Sequence, residues 1–247
     1  MRQEPNIHRI HLTETDSTNR YARELPTPCG LTLITTDHQT AGRGQRSNSW
    51  ESERGKNLLF TLTLPPCDIA ANEQFVLCEI ISVAICKVLS TYTPDIRIKW
   101  PNDIYYRDHK LCGILIEHDI EGSCLARSII GIGLNVNQTT FLSDAPNPIS
   151  LCQVLGREVE REELLHSITT HFAELLHQYT SAWLTRDALH ERYTTLLYRK
   201  GIEATYQDVD GRFTATLRHV APDGRLFLED LQGQTRSYLF KEVAFVV

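Results

Sequence analysis

Between Gln39 and Lys56 the chain reads QTAGRGQRSNSWESERGK, with glycines at 42, 44 and 55 and cations at Arg43, Arg46, Arg54 and Lys56. Backbone N–H groups left open by glycine, joined by guanidinium forks, form a cradle for phosphate or carboxylate. The segment is neither a Walker A loop nor a G-x-G-x-x-G turn opening a helix, so neither standard nucleotide fingerprint applies. The plain alternative is a polar surface loop. Further along, Lys99-Trp100-Pro101-Asn102-Asp103 connects two strand-like runs. Pro, Asn and Asp suit a turn, but they leave unexplained a Trp held beside a lysine and an aspartate. Asp103 is the carboxylate that could carry a divalent ion near phosphates. In Lys110-Leu111-Cys112-Gly113-Ile114-Leu115 a lysine stands at the mouth of a strand and a glycine lies inside it. Glycine within a strand implies close approach of a backbone or a ligand; Lys110 by itself is equally an edge-strand charge. Gly131 and Gly133 in SIIGIGLNVN look like half of a dinucleotide motif, a weak signal because they sit in a strand with no helix behind it.

These residues need elements to hold them. Residues 7–12 alternate apolar and polar, and Asp16-Ser17-Thr18-Asn19, all N-cap formers, precede a helix-like RYARELP. Strands are expected at 31–36 and 58–64, the second stopped by Pro65-Pro66, with the Gly/Arg loop between them. Residues 73–91 are apolar and free of Gly and Pro, which predicts a buried helix. Three strand-like runs follow at 96–100, 110–120 and 125–137, the last two joined by a Glu121-Gly122-Ser123 turn. Such short connections make neighbours antiparallel, so the fold class is α/β (α+β) with a mixed, largely antiparallel sheet. A polar loop at 138–150 leads to helices at about 160–183 and 185–197. From Lys200 onward, short alternating runs separated by Asp-Gly and Gln-Gly turns predict a small all-β unit of about five strands. The expected division is residues 1–197 and 198–247.

Composition narrows the function classes. A formal net charge of −6 carries no basic footprint for nucleic acid. Seven cysteines at wide spacing without a C-x-x-C pair predict buried free thiols in a reducing cytoplasm, not a disulfide framework. Ten histidines form no zinc spacing. No signal-peptide h-region opens the chain, and no run approaches the ~18 apolar residues of a membrane span. The expected location is cytoplasmic.

Taken together, DSTN at 16–19, QTAGRGQRSNSW at 39–50, KWPND at 99–103, KLCGIL at 110–115 and GIGLNVN at 131–137 occur in order, and the combination resembles the biotin protein ligases (biotin–[acetyl-CoA-carboxylase] ligases). The resemblance is strong over about residues 8–140. It implies a core similar to class II aminoacyl-tRNA synthetases and lipoate ligases, followed by a small SH3-like β-barrel. It also implies a reaction of biotin with ATP and Mg2+ to give biotinyl-5′-AMP, then transfer to a lysine of a biotin carboxyl carrier protein. Ser17, Thr18, Asn19 and Gln39 match the positions that grip the biotin ring, where short hydroxyl and amide groups supply donors and acceptors. Arg43, Gly44, Gln45, Gly113 and Leu115 match further biotin-contacting positions. Arg43 and Lys110 match the catalytic cations, and Arg43, Arg46, Trp50, Lys110 and Asn135 the adenylate site. Asp103 is assigned to Mg2+.

One stretch departs from the pattern. Where bacterial members often read G-R-G-R-x-G-R-x-W, this chain has Gln45, Ser47 and Asn48. Arg43 and Arg46 are therefore expected to carry the charge, and Gln45 to hold the intermediate without charge assistance. With DSTN at residue 16, a monofunctional ligase without an N-terminal winged helix and without DNA binding is expected. Sheet-edge pairing leaves a homodimer open. The rivals are a lipoate ligase, an octanoyltransferase and a non-catalytic adenylate-binding regulator.

Overall fold

Alternation in HRIHL makes the first strand, β1 (His8–Leu12), and helix α1 (Thr18–Glu24) follows it. Strands β2 (Thr32–Thr36) and β3 (Leu58–Leu64) bracket the Gly/Arg loop as expected. In the computed structural model, which describes residues 6–44, 48–143 and 147–246, the chain continues through a short β4 (Cys67–Ala70) into the buried helix α2 (Phe75–Leu89). Next come β5 (Ile96–Lys99), β6 (Asp103–Tyr106), the long hairpin of β7 (His109–Glu121) and β8 (Cys124–Leu134), and helices α3 (Leu151–Leu155), α4 (Arg161–Thr180) and α5 (Arg186–Thr195).

The sheet order is β1-β2-β3-β8-β7-β6-β5, with β4 also pairing β8. Only β1–β2 is parallel; the other pairs of this sheet are antiparallel, so the sheet is mixed and largely antiparallel as expected. One face packs Phe60, Leu62, Ile114, Ile130 and Ile132 into a core shared with α2 and α4, through residues such as Ile80, Ile81, Leu164 and Phe172. Each such side chain, fully buried, contributes about 1.5–3 kcal/mol. The opposite face is covered only locally, by Ala22 of α1 over Ile34 and Ile129. Most of that second face is therefore left to polar residues and loops.

The chain end forms a second, five-stranded sheet from β9 (Glu203–Asp208), β10 (Gly211–Val220), β11 (Leu226–Asp230), β12 (Thr235–Tyr238) and β13 (Ala244–Phe245), in the order β12-β11-β10-β9-β13. The expected turns fall at Gly211, Gly224 and Gly233, all at positive φ, where glycine avoids the Cβ clash. This sheet is tied to the first unit by polar contacts. Trp100 donates from Nε1 to the Gly224 carbonyl at 2.9 Å, and the His190 ring stands between Glu79 Oε1 at 2.6 Å and the Val220 carbonyl at 2.8 Å. Arg186 pairs with the fully buried Glu79 and donates to the Pro222 carbonyl at 2.7 Å.

Four expectations need correction. The connection after Lys99 is shorter than expected, because Asp103–Tyr106 forms its own strand and only Trp100–Asn102 turn. Four residues between a proline turn and Arg107 at positive φ are too few to show an alternation. Pro65-Pro66 stops β3 at Leu64 as expected, but the short β4 that then resumes pairing on β8 was not expected. Helix α3 was hidden at the end of the polar loop; Ser150 and Gln153 form a capping box that starts it. Finally, Cys78, Cys86, Cys112 and Cys152 are buried thiols, whereas Cys29 and Cys124 are exposed.

Candidate active site

Strand register places the chemistry. Residues facing each other across antiparallel strands lie on one face, and the face repeats every second residue. Thr61, Gly131 and Leu115 form one row across β3, β8 and β7, and Leu59, Gly133 and Gly113 form the next. Thr63, Ile129 and Glu117 form the row on the other side. This is the face that α1 covers only in part.

Asn19 lies directly on Gly131. An ideal Cβ there would sit 2.7 Å from Asn19 Cγ and 2.9 Å from Nδ2, so the missing side chain is what lets Asn19 approach. Asn19 Nδ2 donates to the Leu115 carbonyl at 3.2 Å and to Glu117 Oε2 at 3.0 Å. Its Oδ1 stands 2.7 Å from the Thr61 hydroxyl, which is also 2.8 Å from that of Thr18. Gln39 Oε1 accepts from the Thr18 backbone N–H at 2.8 Å and hydroxyl at 3.1 Å. Ser17 occupies the N-cap of α1 but makes no side-chain cap bond. Thr18, Asn19, Gln39 and Ser17, expected together from sequence, are thus assembled at the N-terminus of α1. The N-cap signature in DSTN starts the helix while its side chains serve this cluster. Asp16 backs it: burial pushes its pKa up, but the Ser17 amide, bonded at 2.6 Å, and Arg20 outweigh that and hold it below the usual carboxylate value.

The Gly/Arg loop is a small hairpin. Trp50 N–H donates to the Gly42 carbonyl at 2.9 Å, Arg43 and Ser49 form a bridge, and Gly44 N–H donates to the Asn48 carbonyl at 2.6 Å. Gln45 and Arg46 lie outside the described residues. The hairpin delivers two side chains to the sheet face. Arg43 reaches Glu117 Oε2 at 3.4 Å, beside Asn19. Trp50 lays its indole over the Gly133–Gly113 row: an ideal Cβ on Gly133 would be 2.5 Å from Nε1 and 2.8 Å from Cζ2, and one on Gly113 2.7 Å from Cζ3. Lys110 stands beside that indole, its Nζ 5.8 Å from the ring centroid and 2.7 Å from Asp103 Oδ2. Among the described residues, Trp50 Nε1, Asn102 Oδ1 and Asn135 Oδ1 are buried without a hydrogen-bond partner, a state that native proteins seldom leave unexplained. Asn135 is held by its other end, Nδ2 donating to the Ile149 carbonyl at 3.1 Å.

Not every cation of the loop joins this site. Arg54 pairs with Glu14, and Lys56 reaches Glu158 at 3.4 Å, so both turn away. Conversely, sequence reasoning missed Glu117, Thr61 and the support of the loop. Glu51 accepts from the amides of Leu142 (2.8 Å) and Ser143 (2.7 Å), and Gln138 Oε1 accepts from Glu53 N–H at 2.9 Å and Asn57 Nδ2 at 2.6 Å. Burial raises the Glu51 pKa, yet bonds from Ser143 and Leu142 prevail and keep it low. Thr61 and Glu117 carried one available signal: polar residues at the site-face positions of strands otherwise rich in Leu and Ile.

The arrangement therefore joins an amide and hydroxyl cluster to two cations and an indole along one sheet face. Residues 9–135 match the model of the biotin/lipoate A/B protein ligase family, a span holding every one of these groups. The chain belongs to that family. Among relatives, the bifunctional ligase/repressor BirA of Bacillus spizizenii is 31% identical over 241 residues, covering 94% of this chain and 72% of that protein. A biotin–[acetyl-CoA-carboxylase] ligase of Paracoccus denitrificans is 31% identical over 193 residues, covering 72% of this chain and 80% of its own length. The fold matches that of a biotin protein ligase from Aquifex aeolicus solved in complex with biotin and ATP, with a TM-score of 0.76, 24% identity, and 96% and 97% of the two chains covered. Family membership thus rests on the same segments that build the site, and the glycine pair once resembling a dinucleotide motif is the floor of that site.

Proposed function

We propose that this family member activates biotin with ATP and transfers it to a lysine of a biotin carboxyl carrier protein. The observation that carries this reading is the pairing of a donor- and acceptor-rich cluster at Thr18, Asn19 and Gln39 with Arg43 and Lys110 on one face of the sheet. The first suits a polar ring and the second an acid meeting a phosphate. The names and matched lengths of the two ligase relatives support the same substrate.

In the first step a biotin carboxylate oxygen attacks the α-phosphorus and pyrophosphate leaves. Both reactants are anionic, so a side chain that neutralises them lowers the barrier most where charge crowds, commonly the largest catalytic contribution. Arg43 and Lys110 take that part, with the Gly44 backbone beside Arg43. Ser17, Thr18, Asn19 and Gln39 hold the ring; Gly113, Leu115 and Gln45 flank the acid; Arg46, Trp50 and Asn135 hold the nucleotide. In the second step the acceptor's ε-amino nitrogen attacks the acyl carbon, AMP leaves and the amine loses its proton. The Trp50 hairpin, closing over the sheet, excludes water from the mixed anhydride.

Mg2+ asks for few protein ligands when phosphates supply the rest. Asp103 fits that need as a single carboxylate beside Lys110, and among the described residues no cluster of three acidic, His or Cys side chains offers a dedicated cage. When bound with the nucleotide, the ion would neutralise phosphate charge. We read residues 198–247 as a separate small domain, a homodimer as compatible with the open β1 edge, and the reaction as cytoplasmic and independent of DNA. Among the described residues no helix is long and apolar enough to cross a membrane.

Pyrophosphate exchange into ATP tests the reading with biotin, lipoate, octanoate or no acid present. Exchange dependent on biotin is expected. Exchange with lipoate only, or none with biotin, would replace it with the corresponding rival.

A further inference from the structure

We propose that Thr61 is the positioning residue that holds Asn19 in place beside the ring by giving its hydroxyl hydrogen to the Asn19 amide oxygen, a role that rests on the biotin reading above for its ligand. Thr61 is fully buried, in the row shared with Gly131 and Leu115, so it acts through its neighbours and does not reach the ligand.

Proton counting fixes the order of the hydrogen bonds. Asn19 Nδ2 faces the Leu115 carbonyl and the Glu117 carboxylate, which only accept, so its Oδ1 must face Thr61. Thr61 has one hydroxyl hydrogen and two oxygens within reach, Thr18 Oγ1 at 2.8 Å and Asn19 Oδ1 at 2.7 Å. Asn19 Oδ1 has no hydrogen to give, so the Thr61 hydrogen goes there. Thr18 must then supply its own hydrogen, to Thr61 or to Gln39 Oε1 at 3.1 Å. Gln39 Oε1 is in either case held by the Thr18 backbone N–H at 2.8 Å, a group that can only donate. The Gln39 carbonyl is engaged and its NH2 remains for the ligand. A pocket so ordered offers a donor to a ring carbonyl, which a ureido ring has and a dithiolane ring lacks.

Replacing the hydroxyl by a methyl, Thr61→Val, keeps the shape and removes the bond that orders the chain. Asn19 Oδ1 is then left without its donor, and a stranded buried polar group is costly to leave unmade. The expected result is a biotin Kd weakened about tenfold or more, with KM for ATP unchanged within about twofold and Thr61→Ser restoring affinity. A merely structural role would move both substrates together and would ignore the serine. Equal losses for biotin and ATP, no rescue by serine, or unchanged biotin affinity would each overturn the proposal.

Gln39→Glu supplies an independent reading should Thr61→Val fold poorly. It puts oxygen where the donor stood, so biotin affinity is expected to collapse while the ATP KM holds; undiminished biotin binding by this variant would equally refute the assigned polarity. Side-chain amide exchange of Asn19, followed by NMR without any ligand, separates this inference from the substrate assignment. Exchange is expected to quicken in Thr61→Val and return in Thr61→Ser, and unchanged exchange would sink the bond order whatever acid the protein uses.

Discussion

The two in-strand glycines of β8 divide the site, and substituting each in turn tests whether that division is real. In Gly133→Ala the new methyl would lie 2.5 Å from Trp50 Nε1 and 2.8 Å from Cζ2. Non-bonded heavy atoms settle near 3.5–4.0 Å, so the indole must retreat by about 1 Å. Its backbone is bonded to Gly42, and Arg43 bridges Ser49 next to it, so the retreat carries the hairpin with it. Lys110, beside the same ring, loses its packing surface. A displacement of that size away from the chemistry costs about 100-fold in rate, close to 2.7 kcal/mol of transition-state stabilisation. Overpacking should also lower stability by about 1–3 kcal/mol.

Gly131→Ala instead strikes Asn19, with its Cβ 2.7 Å from Cγ. Here the biotin Kd should rise by a similar factor, while ATP-dependent steps at saturating biotin suffer less. The assay is pyrophosphate exchange with each substrate varied in turn, alongside biotin titration and urea unfolding in one buffer. A crossed weighting is expected: position 133 moves the ATP parameters more than the biotin parameters, and position 131 does the reverse. If both variants alter the two substrates alike while remaining folded, Trp50 and Asn19 do not mark separate subsites.

Two further outcomes follow from particular contacts. Lys110→Ala should reduce adenylate formation by about 100-fold or more, as loss of a charge-stabilising donor does, and leave the biotin Kd within about threefold; if exchange survives, Lys110 is only the partner of Asp103. His118, bonded to Ser128 Oγ at 2.9 Å, has its pKa lowered by burial, with Asp119 opposing. A folded value below the unfolded ~6.5 means the unfolded chain binds more protons in that window. This contribution to stability is therefore complete above about pH 6.5 and fades as pH falls towards the lowered value, by at most about 1.4 kcal/mol per pH unit. Urea midpoints at pH 7.5 and 5.5 should differ less in His118→Gln than in the parent, and an identical difference would discard the effect.

How far the sequence could be read depended on whether a residue announces itself locally. The strands and helices that carry a full alternation or a long apolar run, such as β3, α2 and the β7–β8 hairpin, were legible because their pattern depends only on their own residues. The strand β6 and helix α3 were not, since each spans too few residues to develop a period. The site divides in the same way. Gly113 signalled close approach by being glycine in a strand, but nothing local said that the visitor would be Trp50, more than 60 residues earlier in the chain. Thr61 and Glu117 gain their meaning only from register, which sets them in rows with Gly131 and Ile129. Arg54 and Lys56 show the converse: loop composition placed them with Arg43, while Glu14 and Glu158 draw them elsewhere.

Both cations assigned to the phosphate already hold carboxylates, and this constrains how a substrate enters. Arg43 faces Glu117 at 3.4 Å and Lys110 faces Asp103 at 2.7 Å. Two like charges about 4 Å apart repel by roughly 4 kcal/mol at an effective dielectric of 20, about as much as the cation attracts the newcomer at that distance, so a substrate anion gains most from either cation when its pair opens. For Glu117 the structure supplies a replacement, because Arg23 stands 3.5 Å from its other oxygen and Asn19 stays bonded to Oε2. Arg43 can turn to an incoming anion without leaving Glu117 bare, and the shared carboxylate links that turn to the residue lying over Gly131. Asp103 lies opposite Lys99 in the β5–β6 register, where burial lowers the Lys99 pKa with Asp103 opposing, so a second cation also stands near this carboxylate when Lys110 turns to phosphate. Under the proposed reading, Asp103 would then be the carboxylate available to hold Mg2+ beside the phosphates, which links that assignment to the position of Lys110.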